Sequence, residues 1–208
     1  MPRRLGLVRR VAVGDRIKSW DVLKTAQFFE KSVAKDTPVL DIGAYSSEIL
    51  CVLHRLGYSA LSGIDLNPDL HRMPYARSIH YELGNFLHTQ YESGSFGAIT
   101  AISVIEHGFD ADALLHEVGR LLRPGGYFIA SFDYWPDKIA TEGILMFGMS
   151  WMIFSADEVQ AFTERAQAYG FERASGLDRG VAERPISCEK RDYTFAWLAL
   201  RKRGECGA

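Results

Sequence analysis

Pro38-Val-Leu-Asp-Ile-Gly43 is the stretch of sequence that decides the fold. It is a short apolar run that ends in an acidic residue and a glycine, and residues 46–56 after it carry apolar side chains at helical spacing. A strand, a tight turn and a helix in this order predict an α/β unit. Gly43 can adopt backbone angles that other residues avoid, which lets the chain pass close beneath a ligand.

The same alternation of strands and helices continues on both sides of this stretch. Further strands are predicted at residues 60–64, 79–81, 96–103, 127–132, 171–174 and 193–200, and further helices at residues 19–34, 111–122 and 155–168. Ser155 and Glu158 have the spacing of a capping box at the start of the last helix, and Gly170 ends it. The sequence therefore predicts an α/β fold with a mostly parallel sheet.

Composition narrows the class of protein. The chain has 208 residues, of which 47% are hydrophobic and 24% charged, as expected for one compact domain. The formal net charge of -2 gives no basic field that would hold nucleic acid or an anionic membrane. No apolar run is long enough to span a membrane or to act as a secretory signal, so we expect a cytoplasmic protein. A basic cluster at residues 3–18 is compatible with an anion-binding arm or with a loose chain end.

Polar residues follow the ends of three predicted strands, which is where ligands of doubly wound sheets bind. They are Asp41 with Gly43, Asp65 and Asn85. Asp65 follows Gly43 by roughly 20 positions, the spacing at which an acidic side chain accepts hydrogen bonds from ribose hydroxyls. The turn after the first strand lacks the Gly-x-Gly-x-x-Gly pattern of a dinucleotide site, and Tyr45 stands where phosphates would pass. These features predict an adenosine-containing cofactor without phosphates rather than NAD or FAD.

Residues 38–132 resemble the class I S-adenosylmethionine (SAM) dependent methyltransferases. Five segments carry the resemblance, in the family's order: Val39-Leu-Asp-Ile-Gly43, Gly63-Ile-Asp-Leu66, Gly84-Asn-Phe86, residues 96–107 and Leu121-Leu-Arg-Pro-Gly-Gly-Tyr-Phe128. The resemblance implies a single Rossmann-like domain. Its sheet would have seven mostly parallel strands with an antiparallel last strand near residues 193–200, and helices would cover both faces.

The resemblance also implies a SAM site. The predicted cofactor-binding residues are Asp41, Gly43, Ala44, Asp65, Leu66, Asn85, Phe86 and Ser103. Asp41 and Gly43 would meet the methionine end of SAM, Asp65 the ribose and Asn85 the adenine, with Ser103 beneath the sulfonium. The chain departs from the family's pattern twice, because the usual glycine-rich run is reduced to Asp41-Ile-Gly43 and because Asn85 stands where Asp is common. An asparagine can still accept a hydrogen bond through its amide oxygen.

Glu106 and His107 follow the fourth predicted strand, where an acceptor would meet the methyl group. A hydroxyl is a poor nucleophile until a base or a metal helps to remove its proton. We predict His107 as this base because the ordinary pKa of histidine lies near neutrality, and the alternative is a structural histidine that orients a loop. Glu106 and Asp133 are predicted to orient the acceptor or a metal.

Glu106 and His107 also resemble part of the metal site of the ubiquinone-pathway O-methyltransferases. In that family another glutamate stands three residues before the Glu-His pair, whereas this chain has Ser103 at that position. Asp133 could supply the missing oxygen, because magnesium binds through one or two carboxylates together with substrate and water. The predicted ligands of Mg2+, where it is used, are therefore Glu106, His107 and Asp133.

Residues 133–154 are rich in aromatic side chains and methionine. We predict that Tyr134, Trp135, Lys138 and Trp151 contact the acceptor, because aromatic faces beside charged groups suit a sugar ring. A flat phenolic acceptor, a lid or a dimer interface would use the same residue types. This segment is similar to small methyltransferases of polysaccharide synthesis, including those of methylmannose polysaccharides, which implies a mannoside hydroxyl as the acceptor.

The sequence thus predicts one SAM-dependent O-methyltransferase domain acting on a small acceptor, with a carbohydrate favoured. Residues 1–36 would form an arm and a helix, 37–132 the SAM-binding core, 133–154 an acceptor-site insert and 155–208 the C-terminal helix and strands. A homodimer is expected because little of the chain remains to close an acceptor pocket. The alternatives are methyl transfer to a small phenol or amine, a nucleotide-dependent oxidoreductase, and a SAM-binding scaffold without catalysis.

Overall fold

The structure is a computed structural model that describes residues 19–180 and 182–204. The basic cluster at residues 3–18 lies outside the described residues. The helices are α1 (Ser19–Ser32), α2 (Ile49–Arg55), α3 (Ala111–Leu121) and α4 (Ala156–Ala168), with a short 3-10 helix at Pro68–Arg72. The strands are β1 (Val39–Ile42), β2 (Leu61–Asp65), β3 (Ile79–Leu83), β4 (Phe96–Ile102), β5 (Leu122–Tyr134), β6 (Leu145–Met146), β7 (Met149–Ser150), β8 (Phe171–Arg173), β9 (Ile186–Cys188) and β10 (Arg191–Lys202).

Seven strands lie side by side in the order β3-β2-β1-β4-β5-β10-β8, and β9 pairs with β10 as an eighth strand of this sheet. β1 pairs in parallel with β2 on one side and β4 on the other, and the parallel pairing continues to β3 and β5. β10 runs antiparallel to both β5 and β8. The predicted fold is therefore confirmed, with a mostly parallel sheet and an antiparallel last strand.

Helices cover both faces of the sheet because its inner strands are apolar on both sides. Successive side chains of β5 alternate between two hydrophobic clusters: Phe128 and Phe132 pack in the cluster that contains α3 and α4, and Ile129 packs in the cluster that contains α1 and α2. All of β1 is buried. This packing fixes the carboxyl ends of β1, β2 and β4 at one edge of the sheet. No helix among residues 19–180 and 182–204 is long and apolar enough to cross a membrane.

The capping box predicted for α4 is present. The Ser155 hydroxyl accepts a hydrogen bond from the Glu158 N–H at 3.2 Å, and the Glu158 carboxylate accepts one from the Ser155 N–H at 2.8 Å. After the helix, Gly170 adopts a φ of 82°. Both signals depend only on neighbours in the sequence, which is why they could be recognised there.

β5 begins five residues earlier than the predicted start at residue 127. The Arg123-Pro-Gly-Gly126 segment lies inside the strand rather than in a turn before it, and the pairing with β4 shifts register between Phe96 and Ala98. Gly125 accommodates this irregularity with a φ of 79°. Strands β6, β7 and β9, each of two or three residues, were not predicted.

Gly63 offers a test of the packing between β2 and α2. A Cβ on Gly63 would lie 2.7 Å from the Ala44 Cβ and 2.9 Å from Leu50 Cδ1. We expect Gly63→Ala to lower the free energy of unfolding by about 1–3 kcal/mol, because it overpacks the core. Gly119→Ala is the control: its Cβ would lie 3.6 Å from Phe171 and would sit in helix α3, so it should stabilise the protein slightly. Urea denaturation measures both changes, and equal stability of the two variants would contradict this packing.

Candidate functional site

A cleft with a volume of about 680 Å³ opens where the carboxyl ends of β1, β2 and β4 meet. Here the chain crosses from one side of the sheet to the other, since β2 and β3 lie on one side of β1 and β4 and β5 on the other. The start of α1 and the β6–β7 hairpin complete the walls. A volume of this size is typical of a site for a small molecule or cofactor.

Gly43 forms part of the cleft lining directly after β1. Its φ is 71°, and a Cβ built on it would lie 2.8 Å from Val104 Cγ1 and closer still to Cγ2. Both the backbone angle and the space therefore require glycine at this position. Ala44 is fully buried and does not line the cleft. Its N–H, like that of Gly43, donates to the carbonyl of Ile64, which fastens this turn to β2.

Asp65 lies at the end of β2 and lines the cleft beside Leu66, as predicted from the sequence. One carboxylate oxygen accepts a hydrogen bond from the Tyr45 N–H at 2.9 Å, and the other accepts one from the Asn67 N–H at 2.7 Å. Each oxygen keeps a further lone pair for a ligand. The carboxylate is therefore held in one orientation by the backbone while it can still accept hydrogen bonds from the cleft.

Asp41 is fully buried in β1 and does not line the cleft. Its carboxylate accepts a hydrogen bond from the Thr100 hydroxyl on β4 at 2.6 Å. Burial raises the pKa of Asp41 from 3.8 to about 7, although the Thr100 and Ser47 hydroxyls oppose the change and nearby Asp65 adds to it slightly. Asp41 thus lies beneath the floor, and the structure does not bring its side chain to the surface that a ligand would touch.

Of the two residues in the predicted adenine-contacting turn, one lines the cleft and the other does not. Phe86 lines the cleft. Asn85 is exposed and is not part of the lining, and its amide oxygen accepts a hydrogen bond from the Leu87 N–H at 2.9 Å. This short loop contact explains why an asparagine suits the turn after β3 whatever its role toward a ligand.

Ser103 lines the cleft at the end of β4 in a left-handed conformation with a φ of 57°. Its N–H donates to the carbonyl and to the hydroxyl of Ser131, at 3.0 and 3.1 Å. The Ser131 hydroxyl in turn donates to Asp21 of α1 at 2.9 Å. The Ser103 hydroxyl donates to Glu106 at 2.8 Å. Hydrogen bonds therefore hold this unfavourable backbone angle in place.

His107 is half-buried and lines the cleft. It follows β4, which is separated in the sheet by β1 from β2, the strand that carries Asp65. Its ring lies edge-to-face against that of Phe147 at 5.2 Å between ring centres. The next residue, Gly108, donates its N–H to the Ser150 carbonyl at 2.7 Å. The loop that carries His107 is thus attached to the β6–β7 hairpin. This arrangement places an imidazole where it could exchange a proton with a bound molecule.

The predicted acceptor-binding residues lie away from the cleft lining. Tyr134 and Trp151 are buried, and the Trp151 indole N–H donates to Asp133 at 2.8 Å. The Arg184 guanidinium stacks over Trp135 at 3.9 Å from the ring centre, and Lys138 pairs with Glu158 at 2.7 Å. The structure therefore uses these side chains in packing and surface contacts and does not gather them around the cleft.

The predicted magnesium ligands do not form a metal site. Glu106 is fully buried and accepts the Ser103 hydroxyl, and Asp133 accepts the Trp151 N–H and lies beside Tyr193, whose pKa is raised by burial first and then by Asp133. Neither carboxylate lines the cleft with His107. In the part of the chain that the structure describes, no cluster of three or more His, Cys, Asp and Glu side chains could hold a metal ion. The donor geometry thus does not fit Mg2+.

Several residues that line the cleft were not among the predicted site residues. Asp21 and Val22 come from α1, Glu48 precedes α2, and Phe147 and Met149 come from the hairpin. An acidic residue in the first turn of a helix is common for electrostatic reasons alone, so Asp21 carried no signal. Phe147 carried none because an aromatic residue in an irregular segment does not reveal which way it points.

The cleft fits an adenosylated sulfonium cofactor. Asp65 offers oriented acceptors for ribose hydroxyls, and Phe86 and Ile102 offer apolar surface for a flat base. Of the lining residues within 19–180 and 182–204, the acidic ones are Asp21, Glu48 and Asp65, and none is Lys or Arg. This charge balance suits a positively charged ligand and is unfavourable for a pyrophosphate.

The buried Asp41 carboxyl predicts a particular pH dependence of stability. Its pKa is higher in the folded protein than the ordinary value of 3.8, so its contribution to stability is complete below pH 3.8 and is lost as pH rises to about 7. Asp41→Asn keeps an oxygen for Thr100 and removes this titration, so the variant should gain roughly 1–4 kcal/mol relative to the wild type between acid and neutral pH. Chemical denaturation across this range measures the effect.

Asp36→Asn is the matched control for Asp41→Asn, because Asp36 is exposed. We expect the control to follow the wild-type pH profile. The same profile for Asp41→Asn would contradict the burial of an ionisable group at this position.

Comparisons with known proteins agree with this geometry. Residues 40–130 match the family model described as a methyltransferase domain. The ubiquinone biosynthesis O-methyltransferase of Xanthomonas oryzae pv. oryzae is 30% identical over 110 residues, which cover 49% of this chain and 46% of that protein. The enzyme of the same name from Cupriavidus pinatubonensis is 26% identical over 166 residues, covering 72% of this chain and 65% of that protein. The match thus spans about half to two thirds of these curated relatives' length.

Solved structures share the fold. A SAM-dependent methyltransferase from Methanosarcina mazei superimposes with a TM-score of 0.65 at 18% identity, covering 86% of this chain and 98% of that one. A SAM-dependent methyltransferase from Mesorhizobium loti superimposes with a TM-score of 0.62 at 15% identity, covering 90% and 99%. Residues 40–130 are therefore similar to a methyltransferase domain, and the chain has the Rossmann-like fold of these solved methyltransferases.

Proposed function

We propose that this protein binds SAM in the cleft and transfers its methyl group to a hydroxyl oxygen of a small acceptor. The observation that carries the proposal is the position of Asp65, whose carboxylate is oriented by two backbone N–H groups at the edge of a cleft that His107 also lines. A carboxylate that can hold a ribose and an imidazole that can accept a proton therefore lie in one cleft, as methyl transfer to a hydroxyl would use them.

The cofactor end of the cleft is built by backbone more than by side chains. Gly43 supports the proposal because its lack of a side chain lets the turn after β1 pack directly against Val104 while its backbone lines the cleft. Asp65 would accept hydrogen bonds from the two ribose hydroxyls with the lone pairs that its backbone contacts leave open. Bound SAM supplies a methyl group activated by a positively charged sulfur.

His107 would take the acceptor's proton at the other end of the cleft. Its Nδ1 is buried, so the proposal assigns the proton transfer to Nε2. This nitrogen would accept the hydroxyl proton as the acceptor oxygen takes the methyl group that bound SAM would supply through cleavage of its carbon–sulfur bond. The edge-to-face contact with Phe147 supports this role because it restricts the orientation of the imidazole.

The choice of oxygen as the acceptor atom is supported by the relatives named ubiquinone biosynthesis O-methyltransferases. The prediction of a sugar acceptor depended on four side chains that do not line the cleft: Tyr134, Trp135, Lys138 and Trp151. The phenolic acceptor, the second possibility weighed from the sequence, needs no such set of polar contacts. The homodimer expected from the sequence stays a prediction.

Asp65→Ala tests the cofactor site. We expect the affinity for SAM to fall about 10–100-fold, because hydrogen bonds to a charged group are lost. Asp69→Ala is the control, since Asp69 lies four positions further on, its side chain does not line the cleft and it pairs with Arg72 at the surface. Isothermal titration with SAM and S-adenosylhomocysteine (SAH) measures both variants. Equal affinities in the wild type and Asp65→Ala would contradict the proposed cofactor site.

His107→Ala tests the acceptor end. We expect kcat to fall about 10²–10⁴-fold while the affinity for SAM stays the same, because a general base acts only on the chemical step. His116→Ala, an exposed position on α3, is the control and should leave kcat unchanged. Mass spectrometry of phenols, sugars and amines incubated with SAM finds the methylated acceptor, and SAH formation then gives kcat.

An unchanged kcat in His107→Ala would make this histidine structural. SAM binding without methylation of any phenol, sugar or amine would instead favour the scaffold that the sequence left open as an alternative.

A further inference from the structure

Phe147 is the most exposed large hydrophobic side chain among the described residues, with 81% of its surface accessible. It lies at the tip of the β6–β7 hairpin and lines the mouth of the cleft. A hydrophobic ring left in water costs free energy that a polar side chain at a hairpin tip would not. Phe147 is also outside residues 40–130, the part of the chain that matches the methyltransferase family.

The backbone at Phe147 is unfavourable as well. Met146 pairs with Met149, so Phe147 and Gly148 form a two-residue loop, and their φ angles are 54° and 79°. Positive φ at both central positions is typical of the type I′ turn, in which Asn-Gly and Asp-Gly are favoured. A bulky aromatic residue in a left-handed conformation is an outlier. Backbone strain of this kind clusters at active sites and ligand-binding sites.

The hairpin is fastened to the loop that carries His107. The Gly108 N–H donates to the Ser150 carbonyl at 2.7 Å, and His107 and Trp151 form an antiparallel bridge. The rings of His107 and Phe147 lie 5.2 Å apart at an interplanar angle of 86°. The structure thus holds the Phe147 ring beside the proposed base, in the lining of the cleft.

The chemistry around His107 indicates what kind of molecule would fit. Val104, Phe147 and Met149 line this end of the cleft, and all three are apolar. The Ser103 hydroxyl already donates its hydrogen to Glu106. A flat ring would gain apolar contact with the side chains of Val104 and Met149 and with the ring of Phe147.

We propose that Phe147 is the specificity-determining residue for the acceptor, and that it receives the flat apolar face of an aromatic compound whose hydroxyl points toward His107. This inference rests on the proposed function and adds the class of acceptor and the residue that selects it. A strained and exposed ring is retained because it becomes covered when the acceptor is bound.

The test compares Phe147→Asn with Leu145→Asn. Asn suits the turn of Phe147, so the thermal unfolding temperature of Phe147→Asn should equal or exceed that of the wild type. Leu145 is the matched control, because it lies on the same hairpin, is 68% exposed and does not line the cleft. Phe147→Tyr keeps the ring and serves as the conservative variant. The probes are catechol and methyl α-D-mannopyranoside, titrated calorimetrically into protein saturated with SAH.

We expect catechol to bind the wild type, Leu145→Asn and Phe147→Tyr with similar affinity and to bind Phe147→Asn about tenfold more weakly, with the affinity for SAH unchanged in all four proteins. The mannoside should bind none of them. A lower unfolding temperature of Phe147→Asn with unchanged catechol affinity would make Phe147 structural and overturn the inference. Binding of the mannoside, or of neither probe, would overturn the aromatic class. Absence of SAH binding would instead contradict the proposed function itself.

Discussion

Both ends of the cleft depend on one contact, that of the Gly43 backbone with the side chain of Val104. The contact is too close for any side chain at Gly43. On one side of it, the turn after β1 hydrogen-bonds to β2, which carries Asp65. On the other side, the Val104 carbonyl accepts the His107 N–H at 3.1 Å. The distance between a bound cofactor and the proposed base is therefore set where the ends of β1 and β4 meet.

Buried hydrogen bonds extend this constraint to the rest of the molecule. Ser131 on β5 joins Ser103 to Asp21 on α1, and Ser103 also joins Glu106. The left-handed conformation of Ser103 would be unfavourable in isolation. The hydrogen bonds that satisfy its polar groups stabilise this conformation over others. The loop after β4 thus takes its shape from strands and a helix that are distant in sequence.

Features that depend on neighbouring residues along the chain could be predicted from the sequence. The direction in which a side chain points in the folded protein could not. Gly43, Asp65 and the Ser155 capping box belong to short patterns with a known geometry, and all three lie as expected. The aromatic composition of residues 133–154 was recognised, but composition does not tell which rings point to the cleft. The side chains of Trp151 and Tyr134 are buried in the core, whereas Phe147, in a two-residue loop, lines the cleft. The burial of Asp41 could not be predicted either, because a residue at a strand end can be buried by other elements or exposed to solvent.

The antiparallel strand β10 links the edge of the sheet to the wall of the cleft. Among the described residues β8 pairs with β10, so its place in the sheet depends on this later segment, which also covers the edge of β5. The Trp197 indole N–H on β10 also donates to Thr25 of α1 at 2.9 Å. The helix that closes one wall of the cleft is therefore anchored to β10. Loss of β10 would release this wall together with the edge of the sheet, so the binding site depends on a segment that is distant from it in sequence.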